Sequence, residues 1–265
     1  MVILAMDTST DQLSLALGRD QGDLLASWTS VVPKMHATLL HPLLDEMLAT
    51  VNQELKDLGA IILGIGPGSY TGVRIAVTAA KTFAYTLAIP VLTVSSLEAA
   101  AFAARAHQGL VVVAWDARRQ AAYSAAFRVN PIGDRWERVL PDGRRDFSQL
   151  VKELEEIRLA DEQILLLGNA ALAIADLLQK AGDSGGISVY EKRTLLTGDM
   201  LLQLGLKKMQ EQPELVALSN IADAAHELVP NYLQMVEAQA RRMSETQGDG
   251  AGGVDGSSDF PTHDA

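Results

Sequence analysis

Short apolar runs and one long amphipathic stretch set the rhythm of the first part of the chain. Residues 2–6 form an apolar run and residues 13–17 alternate small and large side chains. Residues 24–31 follow the turn-forming Arg19-Asp20-Gln21-Gly22, so three strands are predicted at the start. Between residues 35 and 58, Leu39, Leu40, Leu43, Leu44, Met47, Leu48, Val51 and Leu55 recur at three- and four-residue steps, with Asp45, Glu46, Asn52 and Gln53 facing elsewhere. This spacing predicts a helix that starts or kinks at Pro42. A buried-type strand at 60–65, a glycine-rich turn at 66–72, a helix at 73–87, a strand at 91–94 and a helix at 95–105 complete the first half.

The second half starts again. Residues 110–116 and 121–129 read as strands around a turn at 117–120, with a weaker third strand at 136–140. A helix at 147–157, a strand at 163–167 and a helix at 169–180 follow. The same order of elements occurs twice without residue-level repetition, which predicts a duplicated α/β chain. Its lobes are residues 1–108 and 109–243, each a mixed sheet flanked by helices. Three meandering strands opening each copy is the arrangement of the actin, hexokinase and Hsp70-like superfamily (ASKHA, RNase H-like). Residues 244–265 are rich in Gly, Asp, Ser and Thr and have almost nothing apolar to bury, so they read as a disordered acidic tail.

Composition narrows the chemistry. A chain of 265 residues, 48% hydrophobic and 21% charged, can bury a sizeable core. The absence of cysteine excludes disulfides, thiolate metal sites and a cysteine nucleophile, and fits a reducing cytoplasm. No basic segment precedes the first apolar run and no stretch reaches membrane-spanning length, so the chain is expected to be neither exported nor embedded. A net charge of −11 opposes close approach to a polyanion, so direct binding of nucleic acid would need a local basic patch.

Three features are candidates for function. The first is Gly64-Ile65-Gly66-Pro67-Gly68-Ser69-Tyr70-Thr71-Gly72-Val73-Arg74, between a strand and a helix. Gly66, Gly68 and Gly72 permit close backbone approach, and Ser69 or Thr71 can cap the helix. An anion or nucleotide phosphate could dock on the amides left over, or the glycines could simply let strand, turn and helix pack tightly. The run lacks the Lys-Ser or Lys-Thr pair of a Walker loop. The second feature is a pair of corresponding turns, Asp7-Thr8-Ser9-Thr10-Asp11 and Asp116-Ala117-Arg118-Arg119-Gln120. Phosphates would enter a nucleotide-hydrolysing relative there, usually on glycines that neither turn has, and Asp7 reads better as a side chain capping its own turn. The third is the wide leucine stripe of residues 35–58, which suits either a deeply buried helix or one that meets a partner. Metal chemistry is not expected. His36 and His41 would point about 140° apart on one helix; His107 and His263 stand alone, and His226-Glu227 does not continue into a zinc-binding helix.

Gly66-Pro67-Gly68-Ser69-Tyr70-Thr71-Gly72-Val73-Arg74-Ile75 with Ala80-Lys81 resembles the hallmark of the TsaB (YeaZ) family. Asp7-Thr8-Ser9-Thr10, His36, Val94-Ser95-Ser96-Leu97-Glu98-Ala99, Asp116-Ala117-Arg118-Arg119 and Pro230-Asn231-Tyr232-Leu233 occur in the family's order; Gln234 departs from it, where an arginine is common. The resemblance implies a duplicated actin-like fold and a non-catalytic dimerisation subunit in making threonylcarbamoyladenosine on tRNA. Its implied partners are a TsaD-type catalytic subunit, a TsaE-type ATPase subunit, a second copy when alone, and tRNA only indirectly. It also implies a contact surface of Met35, Leu39, Leu43, Leu44, Met47 and Leu48 from the first helix with Arg74, Thr78 and Lys81 from the second. TsaD carries a His-x-x-x-His metal pair where this chain has Ser96-Leu97-Glu98-Ala99-Ala100, so neither metal nor other cofactor is expected here. The competing expectation is a small-molecule kinase or ATPase of the same superfamily, using Asp7 and the glycine loop around magnesium and phosphate.

Overall fold

The computed structural model describes residues 1–130, 132, 135–182, 186–191, 196–212, 229 and 231. The tail expected at 244–265, and Gln234, lie outside the described residues. β1 (Val2–Asp7), β2 (Gln12–Arg19) and β3 (Leu24–Val31) form an antiparallel meander. α1 (His36–Thr50) leads to β4 (Leu58–Gly64), α2 (Tyr70–Leu87) to β5 (Val91–Val94), and α3 (Ser96–Phe102) closes this half. β4 pairs in parallel with β1, and β5 with β4, giving the order β3-β2-β1-β4-β5. The second half repeats the scheme with β6 (Gly109–Asp116), β7 (Ala121–Asn130), β8 (Arg135–Asp146), α4 (Phe147–Ile157), β9 (Ile164–Leu167), α5 (Ala171–Lys180) and β10 (Ile187–Tyr190). Its order, β10-β9-β6-β7-β8, is the same arrangement read from the other edge, so the chain is a duplicated α/β protein. α6 (Gly198–Glu211) follows.

Several boundaries differ from expectation for physical reasons. α1 stops at Thr50 rather than near residue 58, because Asn52 takes a left-handed conformation (φ 53°) that ends the helix. Leu55–Asp57 is then a single 3-10 turn held by the Asp57 carboxylate, which accepts the Glu54 amide at 2.7 Å. β8 is much longer than the strand expected at 136–140. Its arginine-rich continuation stays paired with β7 across irregularities near Ser124 and Ala126.

Alternation along the central strands sorts the helices into layers. Val2, Leu4 and Met6 of β1 pack with α1 and α2, while Ile3 and Ala5 face α3 and α6. In the second sheet Val111, Val113 and Trp115 belong to the same cluster, where α3 packs on the second sheet and against α6, and Leu110, Val112 and Ala114 face α4 and α5. One helical layer thus fills the space between the two sheets. α6 comes from the far end of the chain yet lies on the first sheet. The Gly198 amide donates to Thr29 Oγ1 at 3.2 Å, and the Ser14 hydroxyl donates to the Leu196 carbonyl at 2.6 Å. A methyl group at Gly198 would overlap the Leu15 carbonyl.

The middle layer also carries a charge cluster. Glu98 of α3, 6% exposed, accepts Arg138 Nη2 of β8 at 2.5 Å and pairs with Lys208 Nζ of α6 at 3.0 Å. Arg138 also pairs with Asp142 and lies 4.9 Å from the Phe127 ring centroid. One carboxylate therefore joins three elements. In urea unfolding, Glu98→Gln is expected to lower stability by about 2 kcal/mol, because both cations lose their shared anion. Gly198→Ala is expected to cost more, about 3 kcal/mol, since its clash is with backbone that cannot rotate away.

Candidate functional site

The turn after β1 and the loop after β4 are built as one unit. Asp7 Oδ1 accepts the Ser9 amide and the Ser9 hydroxyl, each at 2.7 Å, so Asp7 caps its own turn as the sequence suggested. Its Oδ2 accepts the hydroxyl of Ser96, the first residue of α3. Ser96 Oγ in turn accepts the Gly66 amide at 2.9 Å. Above this cluster the Ser69 amide donates to the Ser9 carbonyl at 2.6 Å, and the Thr8 hydroxyl donates to the Gly72 carbonyl at 2.6 Å. A side chain at Gly68 would overlap the Ser9 carbonyl, and one at Gly72 the Thr8 carbonyl. The glycines are there so that two loops can touch.

This geometry decides how the loop's amides are used. Those of Ser69, Gly72 and Val73 go to the Ser9 carbonyl, the Ser69 hydroxyl and the Ser69 carbonyl respectively. Ser69 is the helix cap, and Thr71 is exposed in the first turn of α2. Asp7, 1% exposed, places a carboxylate directly beneath. Of the six residues weighed as an anion site, Asp7, Gly66, Gly68, Ser69 and Gly72 are therefore bound up in the contact between the loops. Burial pushes the Asp7 carboxyl above its ordinary pKa, against the opposing pull of the Ser96 and Ser9 hydrogen bonds and of His36. Sequence reasoning overlooked Ser96 as the link between these parts. The signal available was a serine just ahead of an Ala-rich helix, which alone does not reveal its partners. Asn231, noted only as part of a motif, donates its amide to the Ile65 carbonyl at 2.9 Å and so attaches late chain to the same loop.

The corresponding turn after β6 is built differently. Asp116 Oδ1 accepts the Arg118 amide at 2.9 Å, the same capping device as Asp7, but Asp116 is exposed. Arg118, Arg119 and Gln120 all lie in the left-handed region, with φ of 62°, 55° and 57°. For residues with a Cβ this costs about 1–2 kcal/mol each. The turn is pinned by Asn169 Oδ1, which accepts the Asp116 amide at 2.8 Å, by the Ala117 amide on the Ala121 carbonyl at 2.8 Å, and by the Phe147 amide on the Gln120 carbonyl at 2.8 Å. Tyr123 and Arg144 pair across β7 and β8 two residues along. Among the described residues the buried Arg144 Nε has no hydrogen-bond partner, and burial raises the Tyr123 hydroxyl pKa against the opposing effect of the Arg144 charge.

The leucine stripe is narrower than the sequence suggested. Leu44, Met47 and Leu48 were expected on a contact surface but are 1%, 7% and 3% exposed. With Leu40 they form the i, i+4, i+7, i+8 face that α1 lays on its own sheet, which corrects their assignment. Leu39 and Leu43 are half-buried and Met35 is exposed. On α2, Arg74 and Thr78 are exposed and Lys81 is half-buried. Arg74 Nη1 donates to Tyr70 Oη at 2.8 Å, with its guanidinium 5.2 Å from the ring centroid. The edge of His41 against Phe83, centroids 5.6 Å apart, ties the two helices together. Among the described residues no group of three His, Cys, Asp or Glu side chains could hold a metal ion, and no helix is long and apolar enough to cross a membrane.

Two sheets of one strand order, joined through a shared helical layer and carrying matched capped turns, define a duplicated actin-like α/β protein. The family model described as TsaD, tRNA N6-adenosine threonylcarbamoyltransferase, matches residues 29–239. The tRNA threonylcarbamoyladenosine biosynthesis protein TsaB of Bacillus subtilis is 34% identical over 91% of this chain and 97% of its own length. The protein of that name from Escherichia coli is 36% identical over 48% of this chain and 55% of its own. Two solved structures from Pseudomonas aeruginosa, one of YeaZ and one of a protein described as similar to peptidase YeaZ, each superpose with a TM-score of 0.70. They are 24% and 25% identical respectively, and each match covers 88% of this chain and 99% of the other. The chain belongs to the TsaB (YeaZ) family.

The raised pKa of Asp7 fixes the sign of a pH dependence. Between the carboxyl's ordinary pKa and its higher folded value the native state holds more protons than the unfolded chain, so stability falls as pH rises through that window. Thermal melts from acid to neutral pH should show this fall in the wild type and not in Asp7→Asn. Asp7→Ala should lose about 2 kcal/mol relative to Asp7→Asn, because the Ser9 and Ser96 donors are left without an acceptor.

Proposed function

We propose that this chain is the non-catalytic scaffold, or dimerisation, subunit of a cytoplasmic complex that makes threonylcarbamoyladenosine on tRNA. It partners a TsaD-type catalytic subunit that transfers threonylcarbamoyl to an adenosine beside the anticodon, and it helps recruit a TsaE-type ATPase subunit. Alone it pairs with a second copy, and the tRNA is held chiefly by other subunits.

The observation that carries this reading is the outward face of α1 and α2. Met35 and Tyr85 are 45% and 67% exposed, Leu39 and Leu43 are half-buried, and Arg74 is held against Tyr70. Apolar side chains ringed by ordered polar ones are what a specific interface uses, and about 800 Å² per partner is ordinary for one. The non-catalytic assignment is supported by Ser96 and Ala100, which stand where the sister family has metal-binding histidines. Ser96 is spent on Asp7 and Gly66, and Ala100 is buried. The kinase or ATPase alternative draws no support from a loop whose Gly66, Ser69, Gly72 and Val73 amides are bonded to protein and which lies over a buried carboxylate.

Because Met47 belongs to the core, the informative variants are Met35→Asp and Arg74→Glu, at exposed positions and expected to fold with near-normal melting temperatures. Each should reduce co-elution with the organism's own TsaD-type subunit at least about tenfold and lower threonylcarbamoyl transfer in the reconstituted reaction in proportion. Full association and full tRNA modification by both variants would count against this face.

A further inference from the structure

Just past β4, the dipeptide Ile65-Gly66 has every backbone group bonded. The Ile65 amide donates to the Val94 carbonyl at 3.1 Å, the Gly66 amide to Ser96 Oγ at 2.9 Å, and the Ser96 amide to the Gly66 carbonyl at 2.9 Å. Those partners lie at the end of β5 and the head of α3, within the first half. The fourth comes from far along the chain: the Ile65 carbonyl accepts the Asn231 amide at 2.9 Å. Asn231, half-buried, also comes close to Gly66, where a Cβ would lie 3.7 Å from the Asn231 carbonyl oxygen. Gly66 has a φ of 87°, a conformation that favours glycine. Three residues on, Ser69 caps α2, whose first turns carry Tyr70, 42% exposed, and Arg74 bonded to it.

We propose that Asn231 is a positioning residue for the partner face: its backbone N–H fixes the loop that starts α2, so Tyr70 and Arg74 are presented in register only when the late chain is docked. This rests on the scaffold reading and adds to it a control by a distant part of the same chain. Val94, Ser96 and Ser9 hold the loop from within the first half. Among the hydrogen bonds of the described residues, that of Asn231 is the one that reaches the loop from beyond α6. The donor cannot move back by one residue, because Pro230 has no N–H to give. The bond uses backbone alone, so it tolerates any side chain at position 231 except proline. Coupling of this kind is reciprocal: a partner that binds the ordered start of α2 also favours the docked late chain.

Asn231→Pro removes the N–H and Asn231→Ala keeps it, so the two full-length variants separate the backbone bond from the side chain. Amide hydrogen exchange of the free chain and affinity for the organism's own TsaD-type subunit are measured in both. Asn231→Pro is expected to speed exchange at Gly66, Ser69 and Gly72 about fivefold, with the amides of β6 and β9 unchanged, and to weaken association about fivefold. Asn231→Ala should match the wild type in both measurements. Unchanged loop exchange in Asn231→Pro would overturn the proposal, as would faster loop exchange with full association. So would an equal rise in exchange across both halves, which would make the bond a support for the fold at large, or equal losses in the alanine variant. If the wild-type chain itself fails to associate, the scaffold reading fails instead, and the contrast in loop exchange between the two variants still decides whether Asn231 positions the loop.

Discussion

Two sheets sharing a single helical layer is the constraint from which most of this structure follows. Each sheet is apolar on both faces; α6 packs across the first sheet, α3 packs on the second, and the two helices pack on each other. Burial of Ile3, Ala5 and Ile62 on one side, and of Val111, Val113 and Phe127 on the other, is therefore a single joint event. Glu98 holds a charged contact among α3, α6 and β8 within this layer, and Ser96 at the head of α3 ties it to the turn after β1. The outer helices are then free to differ. α4 and α5 cover the second sheet, while α1 and α2 cover the first and keep a mixed apolar and polar face outward.

Duplication makes the divergence of the halves readable. Both central strands end in an aspartate that caps its own turn, and in both a later loop returns to hold that turn in place. In the first half the returning loop lies so close that its glycines touch the turn's carbonyls and its Ser69 amide bonds one of them, and the aspartate is sealed in. In the second half the turn stays open to solvent and holds its arginines in a strained conformation. One corner is thus closed into structure, while the other has an exposed tip.

Much of this was legible in the sequence, for identifiable reasons. Uninterrupted apolar runs bounded by turn residues gave β1, β4, β5, β6 and β9, and Ser69 ahead of an Ala-rich stretch gave the start of α2. α6 was missed. Leu201 with Leu204 and Leu202 with Leu206 stand three and four apart, and Asp199, Gln203 and Lys207 recur at four, so the helical signal was present in a short segment and was not read. β10 was missed because four residues, alternately half-buried and exposed, are too few to establish alternation. The breadth of the α1 stripe was overestimated because adjacent leucines look equivalent in sequence, and only the sheet shows that Leu44 and Leu48 point inward while Leu43 lies at the margin. The glycine loop was recognised, but close packing and anion binding ask for the same residues. The choice depended on the carbonyls of Thr8 and Ser9, which no motif encodes.

The return of α6 to the first sheet bears on how the chain is made. During vectorial synthesis the inner face of β1, β2 and β4 emerges well before the helix that covers it, and the loop after β4 waits longer still for Asn231. Until that helix is made, the nascent first half carries an uncovered apolar surface of the kind that chaperones shield.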